Sequence, residues 1–188
     1  MTVQRHWTKA YPHTPLRMAE RNLVMETRAD GAVMLKSGVP LGAVPRQLGD
    51  DLRAGAARHP DRVFLAERGR DGAWVTLTYA EARAKADAVS QWLLDNGHGP
   101  ANPVAALSDN SIAMGLLMLG AMQAGIPFMP VSPAYSLMSK DYAKVKYICE
   151  RFTPSLIYTE TLAPFVPALT AVAPTAQIVA RHAQGELP

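Results

Sequence analysis

Cysteine is nearly absent. Cys149 is the one thiol in 188 residues, so no internal disulfide can form and a reducing cytoplasm is the expected setting. Long apolar runs are missing too. The longest, Ile112–Ala124, is about 13 residues against the roughly 20 that a bilayer-spanning helix needs, so no membrane partner is expected. The opening stretch MTVQRHWTKAYPHTPLRMAERN mixes charges with aromatics and holds no apolar segment, which argues against a secretory signal. Charge of one sign is not concentrated. Nineteen Lys and Arg face sixteen Asp and Glu, a net +3 without a basic cluster, so nucleic acid is not an expected partner. His6, His13, His59, His98 and His182 stand apart from one another and from Cys149, so no metal site is expected. Phosphate loops are absent as well. GHGPAN begins G-x-G, but it follows a helix, precedes a strand and lacks the third glycine; no G-x-x-x-x-G-K-[ST] occurs.

What is present is a well-patterned core. With 48% apolar and 19% charged residues, the chain can build an ordinary globular domain. Asp30-Gly31 reads as a turn before a short strand, Ala32–Lys36. Leu48, Leu52 and Ala56 mark a helix over 46–58 that Pro60 stops, with Asp50 and Asp51 suited to its positive end. Val63–Arg68 and Ala73–Tyr79 read as strands around GRDG. Thr78 with Glu81 forms a capping-box signature for a helix over 79–96. Ala82, Ala86, Val89 and Leu93 are its buried face, and Gly97 is its C′ residue. From Asn102 the pattern alternates. A doubly apolar strand, Asn102–Leu107, is followed by SDN, read as a cap for a helix over 110–124. Then come a strand in IPFMPV, a helix over 139–152 capped by Ser139, a strand in PSLIYTE, a proline-broken helix and a last strand, AQIVA. Such alternation predicts an α/β fold, a mostly parallel sheet flanked by helices.

Several residues invite two readings. Met114, Met118 and Met122 lie at i+4 steps on an apolar helix; core filling is the plain reading, a Met-lined wall for an apolar or aromatic ligand the other. Cys149 shares an apolar stripe and reads as buried and inert. His59 and His98 lie at helix ends, where surface or capping roles fit. Lys140, Lys144 and Arg151, with Tyr147 between, read as a solvated face, or as a landing strip for an anionic ligand such as a nucleotide-bearing thiol. The turn PVSPAYSLMSKD leaves the carboxyl end of a strand, where open α/β sheets meet ligands. It is a rigid connection that can also rim a pocket.

In order and spacing, TYAEARAKADAVSQWLLDNG, PVAALSDNSIAMGLLMLGAMQAGIPFMPVSPAYSLMSKDYAKVKYI and PSLIYTE resemble the N-terminal part of the adenylate-forming enzymes. These AMP-binding proteins include acyl-CoA synthetases, luciferases and peptide-synthetase adenylation domains. The turn SPAYSLMSKDY and the upstream RADGAVMLKSGVPLG are similar to those of feruloyl-CoA synthetases. The resemblance implies a two-step ligation. A carboxylic acid attacks the α-phosphate of ATP, with Mg²⁺, giving an acyl-adenylate and pyrophosphate; coenzyme A then displaces AMP. It implies an aromatic acid such as ferulate as the partner, with a fatty or amino acid as alternatives.

The family's Ser/Thr/Gly-rich phosphate loop, its later acidic residues and its C-terminal lysine have no counterpart in this chain. No catalytic, cofactor-binding or metal-binding residue is therefore assigned. The expectation is residues 1–45 as an arm and hairpin and 46–188 as a partial AMP-binding-type domain. It is expected to be inactive alone, with a non-catalytic ligand-binding or assembly module as the alternative. Strands normally covered by later chain would favour a homo-oligomer.

Overall fold

A computed structural model describes residues 22–44, 46–172 and 175–182. Most of the N-terminal arm, with His6 and His13, lies outside the described residues. The chain divides into two units, Met1–Val44 and Pro45–Pro188. In the first, β1 (Leu23–Thr27) and β2 (Val33–Ser37) pair antiparallel, Met25 opposite Leu35. Gly31 takes φ 83° in their turn, and Asp30 Oδ1 accepts the Ala32 N–H at 3.0 Å. The turn signal thus closes a hairpin for the ordinary reason: glycine tolerates a left-handed backbone and aspartate bonds the chain two residues on.

The second unit opens with α1 (Leu48–Arg58) and the antiparallel pair β3 (Val63–Arg68) and β4 (Trp74–Thr78). Helix α2 (Tyr79–Asp95) starts at a complete capping box. Thr78 Oγ1 accepts the Glu81 N–H, and the Glu81 carboxylate accepts the Thr78 N–H at 2.8 Å. The Thr78 N–H, followed by the Thr78 hydroxyl, holds the Glu81 carboxyl below its usual range. The helix ends as the sequence predicts. Gly97 has φ 77°, its N–H reaches Leu94 O, and the His98 N–H reaches Leu93 O, the paired bonds of a Schellman motif.

The core is a parallel sheet in the order β6-β5-β7-β8, with β5 (Val104–Leu107), β6 (Phe128–Val131), β7 (Leu156–Thr161) and β8 (Gln177–His182). Every residue of β5 is buried, because helices cover both of its faces. Alternation sorts the side chains. Val104, Ala106, Leu156 and Tyr158 pack with Leu93 of α2 and Ala121 of α3 (Ile112–Gln123). Ala105, Leu107 and Ile157 pack instead with Val145 and Cys149 of α5 (Ala143–Phe152) and Leu169 of α6 (Val166–Val172). A short 3₁₀ turn, Ala163–Phe165, precedes α6, so the proline-broken helix begins as a tighter coil.

Helices α2 and α3 touch closely. A Cβ on Gly120 would lie 2.5 Å from Val89 Cγ1 and 3.2 Å from Ala86 O. Ser90 Oγ donates across that seam to Gly120 O at 2.8 Å and accepts from Gln123 Nε2 at 2.6 Å.

Some local expectations are corrected. Ser111, not SDN, caps α3, accepting the Met114 N–H at 3.1 Å. The α3 methionines fill the core only in part: Met114 and Met118 are half-buried and Met122 is exposed. The helix expected over 139–152 begins at Ala143. Ser139 Oγ does accept a backbone N–H, but that of Tyr142, which sits at φ 55° outside the helix. A separate one-turn helix, α4 (Ala134–Leu137), occupies the exit turn of β6. Lys140 therefore precedes α5 and is not part of its stripe.

Candidate functional site at the carboxyl edge of the sheet

Strand β5 leads through α3 to β6 on one side; β7 leads through α6 to β8 on the other. The chain direction diverges between β5 and β7, and the crevice beyond their carboxyl ends is where open α/β sheets take ligands. Four segments meet the edge: Ser108–Ser111 after β5, Ser132–Tyr142 after β6, Glu160–Leu162 at the end of β7, and Arg181–His182 at the end of β8.

One polar network occupies this edge. Glu160 is its hub. Its Oε2 accepts the Ser111 hydroxyl at 2.8 Å and the Tyr158 phenol, and its Oε1 accepts Arg181 Nη1 at 2.9 Å. Arg181 Nη1 also lies 3.4 Å from Glu67 Oε1 on β3. The other oxygen of Glu67 accepts the Ile112 N–H at 2.6 Å, so a second carboxylate meets the positive end of α3. Burial disfavours charge on Glu160, but the hydrogen bonds from Tyr158, Ser111 and Arg181 outweigh it and hold the carboxyl below its usual range. Burial, then the bond and charge of Glu160, push the Tyr158 phenol well above its usual range.

None of these network residues was picked out by sequence reasoning as functional. Their positions, 67, 111, 158, 160 and 181, share no local pattern. The one available signal was an acid closing an apolar strand, LIYTE. The rigid exit turn of β6 does lie at this edge, as expected. There Asp141 Oδ1 accepts the Ser139 hydroxyl and the Ala143 N–H, and those bonds lower its carboxyl pKa, the Ala143 bond most.

His98 is the clearest correction. Its place at a helix end suggests a surface or capping role, yet it is 7% exposed. Nδ1 lies 3.0 Å from Ser155 Oγ and Nε2 lies 3.1 Å from Gln177 Oε1, at the amino end of the sheet. Its partners stand 57 and 79 residues away, which no local reading reveals. His59 is exposed at the end of α1. Cys149 is buried in the apolar layer, and burial followed by the charge of Glu150 raises its pKa, which suits an inert thiol. Lys144, Tyr147 and Arg151 are exposed on α5, with Lys144 Nζ 4.5 Å from the centre of the Tyr135 ring.

Among the described residues, two buried hydroxyls have no hydrogen-bond partner. Thr159 Oγ1 on β7 and Ser136 Oγ on α4 are buried and unbonded. On the opposite face an apolar groove of about 470 Å³ runs between α2, α3 and β8, lined by Val89, Trp92, Leu117, Tyr158 and Val179 among others.

The chemistry of this edge is positioning. Arg181 Nη1 engages two carboxylates, and the Ser111 hydroxyl caps α3 while donating to Glu160. Among the described residues no group of three or more His, Cys, Asp or Glu could hold a metal ion. Among the described residues the carboxylates and hydroxyls of this network are engaged with one another and do not form a cradle suited to a triphosphate with its Mg²⁺. No helix among the described residues is long and apolar enough to cross a membrane.

Comparison with known proteins gives these features a context. A family model described as AMP-binding enzyme matches residues 52–186. Surfactin synthase subunit 1 of Bacillus subtilis is 32% identical over 128 residues, which is 66% of this chain and 3% of that protein. A mitochondrial medium-chain acyl-CoA ligase of Bos taurus is 28% identical over 150 residues, 79% of this chain and 24% of the ligase. Among solved structures, the N-terminal domain of FACL13 from Mycobacterium tuberculosis superposes with a TM-score of 0.60 at 21% identity, covering 77% of this chain and 38% of that one. A fatty acyl-adenylate ligase from L. pneumophila, solved with acyl adenylate and pyrophosphate, gives 0.60 at 20% identity over 71% of this chain and 23% of the other. The chain thus spans about a quarter of the acyl-CoA ligase and a few per cent of the synthase. The structural likenesses bear on the fold: an α/β domain with a parallel sheet flanked by helices.

Proposed function

The chain belongs to the AMP-binding enzyme family, and from that membership we propose that it supplies the first α/β portion of an ATP-dependent acid:CoA ligase acting on an aromatic acid such as ferulate. The observation that carries the ligase reading is the family match over 52–186, which takes in the whole β5–β8 sheet and its polar carboxyl edge. What favours an aromatic acid is the exit turn SPAYSLMSKDY, with its similarity to feruloyl-CoA synthetases. In this reading, ATP, Mg²⁺ and coenzyme A are handled by parts of the enzyme outside this chain. The chain contributes a rigid sheet edge and no catalytic group. Residues 46–188 are the partial AMP-binding-type domain, and residues 1–45 are the arm and hairpin. The single buried thiol fits a reducing compartment such as the cytoplasm.

A second reading keeps the reaction and changes the acid. A fatty acid is favoured by the medium-chain acyl-CoA ligase relative and the fatty acyl-adenylate ligase fold neighbour. The test is an acid panel. The purified 188-residue chain and the product of the complete reading frame that contains it are each supplied with ATP, Mg²⁺ and coenzyme A. Ferulate, octanoate or an amino acid is the variable, and pyrophosphate release is measured. The expected result is release with ferulate from the complete product and none from the chain alone. Preference for octanoate replaces the aromatic reading. Release by the 188-residue chain itself overturns the assignment of catalysis elsewhere. No release from the complete product with any acid leaves the non-catalytic module. In the described residues β6 and β8 each pair on one side only, so we also expect self-association; a monomeric mass by light scattering would count against it.

A further inference from the structure

Strand β8 is at the edge of the sheet, paired with β7 alone among the described residues. Its side chains are half-buried or exposed, whereas all four of β5 are buried. Ile178 and Ala180 pack against one apolar layer and Val179 against the other, but none is fully buried, so apolar burial holds β8 less firmly than β5. Its two ends are nevertheless tied by side chains from distant parts of the fold. At the amino end, Gln177 Oε1 meets His98 Nε2 at 3.1 Å, and the same ring is fixed through Nδ1 to Ser155 at 3.0 Å. At the carboxyl end, Arg181 Nη1 donates to Glu160 at 2.9 Å and to Glu67 at 3.4 Å. Both fastenings reach across the α2/α3 side, and between them Val179 forms part of the wall of the apolar groove.

We propose that β8 is a strap: it opens as a unit while the rest of the sheet stays folded, and the His98–Gln177 and Arg181–Glu160/Glu67 contacts hold it shut. Local opening is expected where apolar contacts are few and polar ties carry the load. Opening frees the outer edge of β7 and removes Val179 from the groove. The strap therefore controls whether that edge and groove exist as surfaces. This proposal is independent of which acid the ligase takes.

Amide hydrogen exchange on the 188-residue chain at neutral pH tests it. The Gln177 N–H bonds Ser155 O, and by alternation the Val179 and Arg181 amides also face β7; these two should exchange at least about tenfold faster than those of β5, the scale of one net hydrogen bond. Arg181→Met and His98→Phe should each raise the β8 rate by about a further tenfold and leave β5 and β6 unchanged. Gln177→Met, which keeps the His98–Ser155 contact, should reproduce the His98 effect and guards against a variant that does not fold. Exchange of β8 in step with β5, or variants that accelerate β5 as much as β8, would overturn the proposal.

Discussion

Beneath α2 and α3, Glu160, His98 and Ser90 each reach two or more partners; beneath α5 and α6, Ser136 and Thr159 reach none. The first side joins elements far apart in sequence through directed polar contacts and a helix seam closed at Gly120. The second side is a layer of Phe165, Leu169, Val145 and Cys149 that packs by shape, flanked by two left-handed residues, Tyr142 and Thr153. Substitutions should therefore have opposite signs on the two sides. Polar truncation or added bulk should hurt under α2 and α3, and removing a hydroxyl or relaxing a turn should help under α5 and α6.

The largest effect is expected at the seam. Gly120→Val places carbon where Val89 and the Ala86 carbonyl stand. It should cost about 3 kcal/mol in urea unfolding, more than the roughly 1 kcal/mol recovered by removing a helical glycine. Next is the hub. Glu160→Gln weakens the tie to Arg181 and changes the acceptor seen by Ser111 and Tyr158, for a loss of about 2 kcal/mol at neutral pH. Its pH dependence has a definite sign. The folded carboxyl lies below its usual value, so its stabilisation is full above that value and fades as pH falls through the lower, folded one. Wild type should lose stability through that acid window more steeply than Glu160→Gln. Equal acid slopes would show that the network contributes nothing.

On the other side, Thr159→Val keeps the shape and removes an unbonded hydroxyl, for a gain of about 1 kcal/mol in the same unfolding assay. Thr153→Gly relieves a β-branched residue at φ 41° and should gain about 0.5 kcal/mol, partly offset by glycine's entropy and a lost contact from Asn102. A loss at either position would break the contrast between the two sides.

How much of this was legible follows from contact range. The capping box at Thr78, the C′ glycine at Gly97 and the alternation of strands and helices depend on neighbours within a few residues, and the sequence displays them. Ser139 misled because a hydroxyl accepting a backbone N–H looks alike whether or not a helix follows at once. Here Asp141 and Tyr142 intervene before the first helical turn. His98 and Glu160 could not be read, since their partners are brought near only by the parallel crossovers. The orphan hydroxyl of Thr159 was equally hidden. Nothing in LIYTE marks it, because the apolar layer it faces is assembled from α5 and α6 only in the fold.

The central strand also sets the timetable of biosynthesis. Val104–Leu107 leaves the ribosome before either of its neighbours, and β7 follows roughly fifty residues later. At about 5–20 residues per second, that four-residue apolar segment spends several seconds without its second flank. During that interval the nascent chain is exposed to chaperones and to mispairing, so synonymous codon changes between 108 and 155 should alter soluble yield without altering the finished protein.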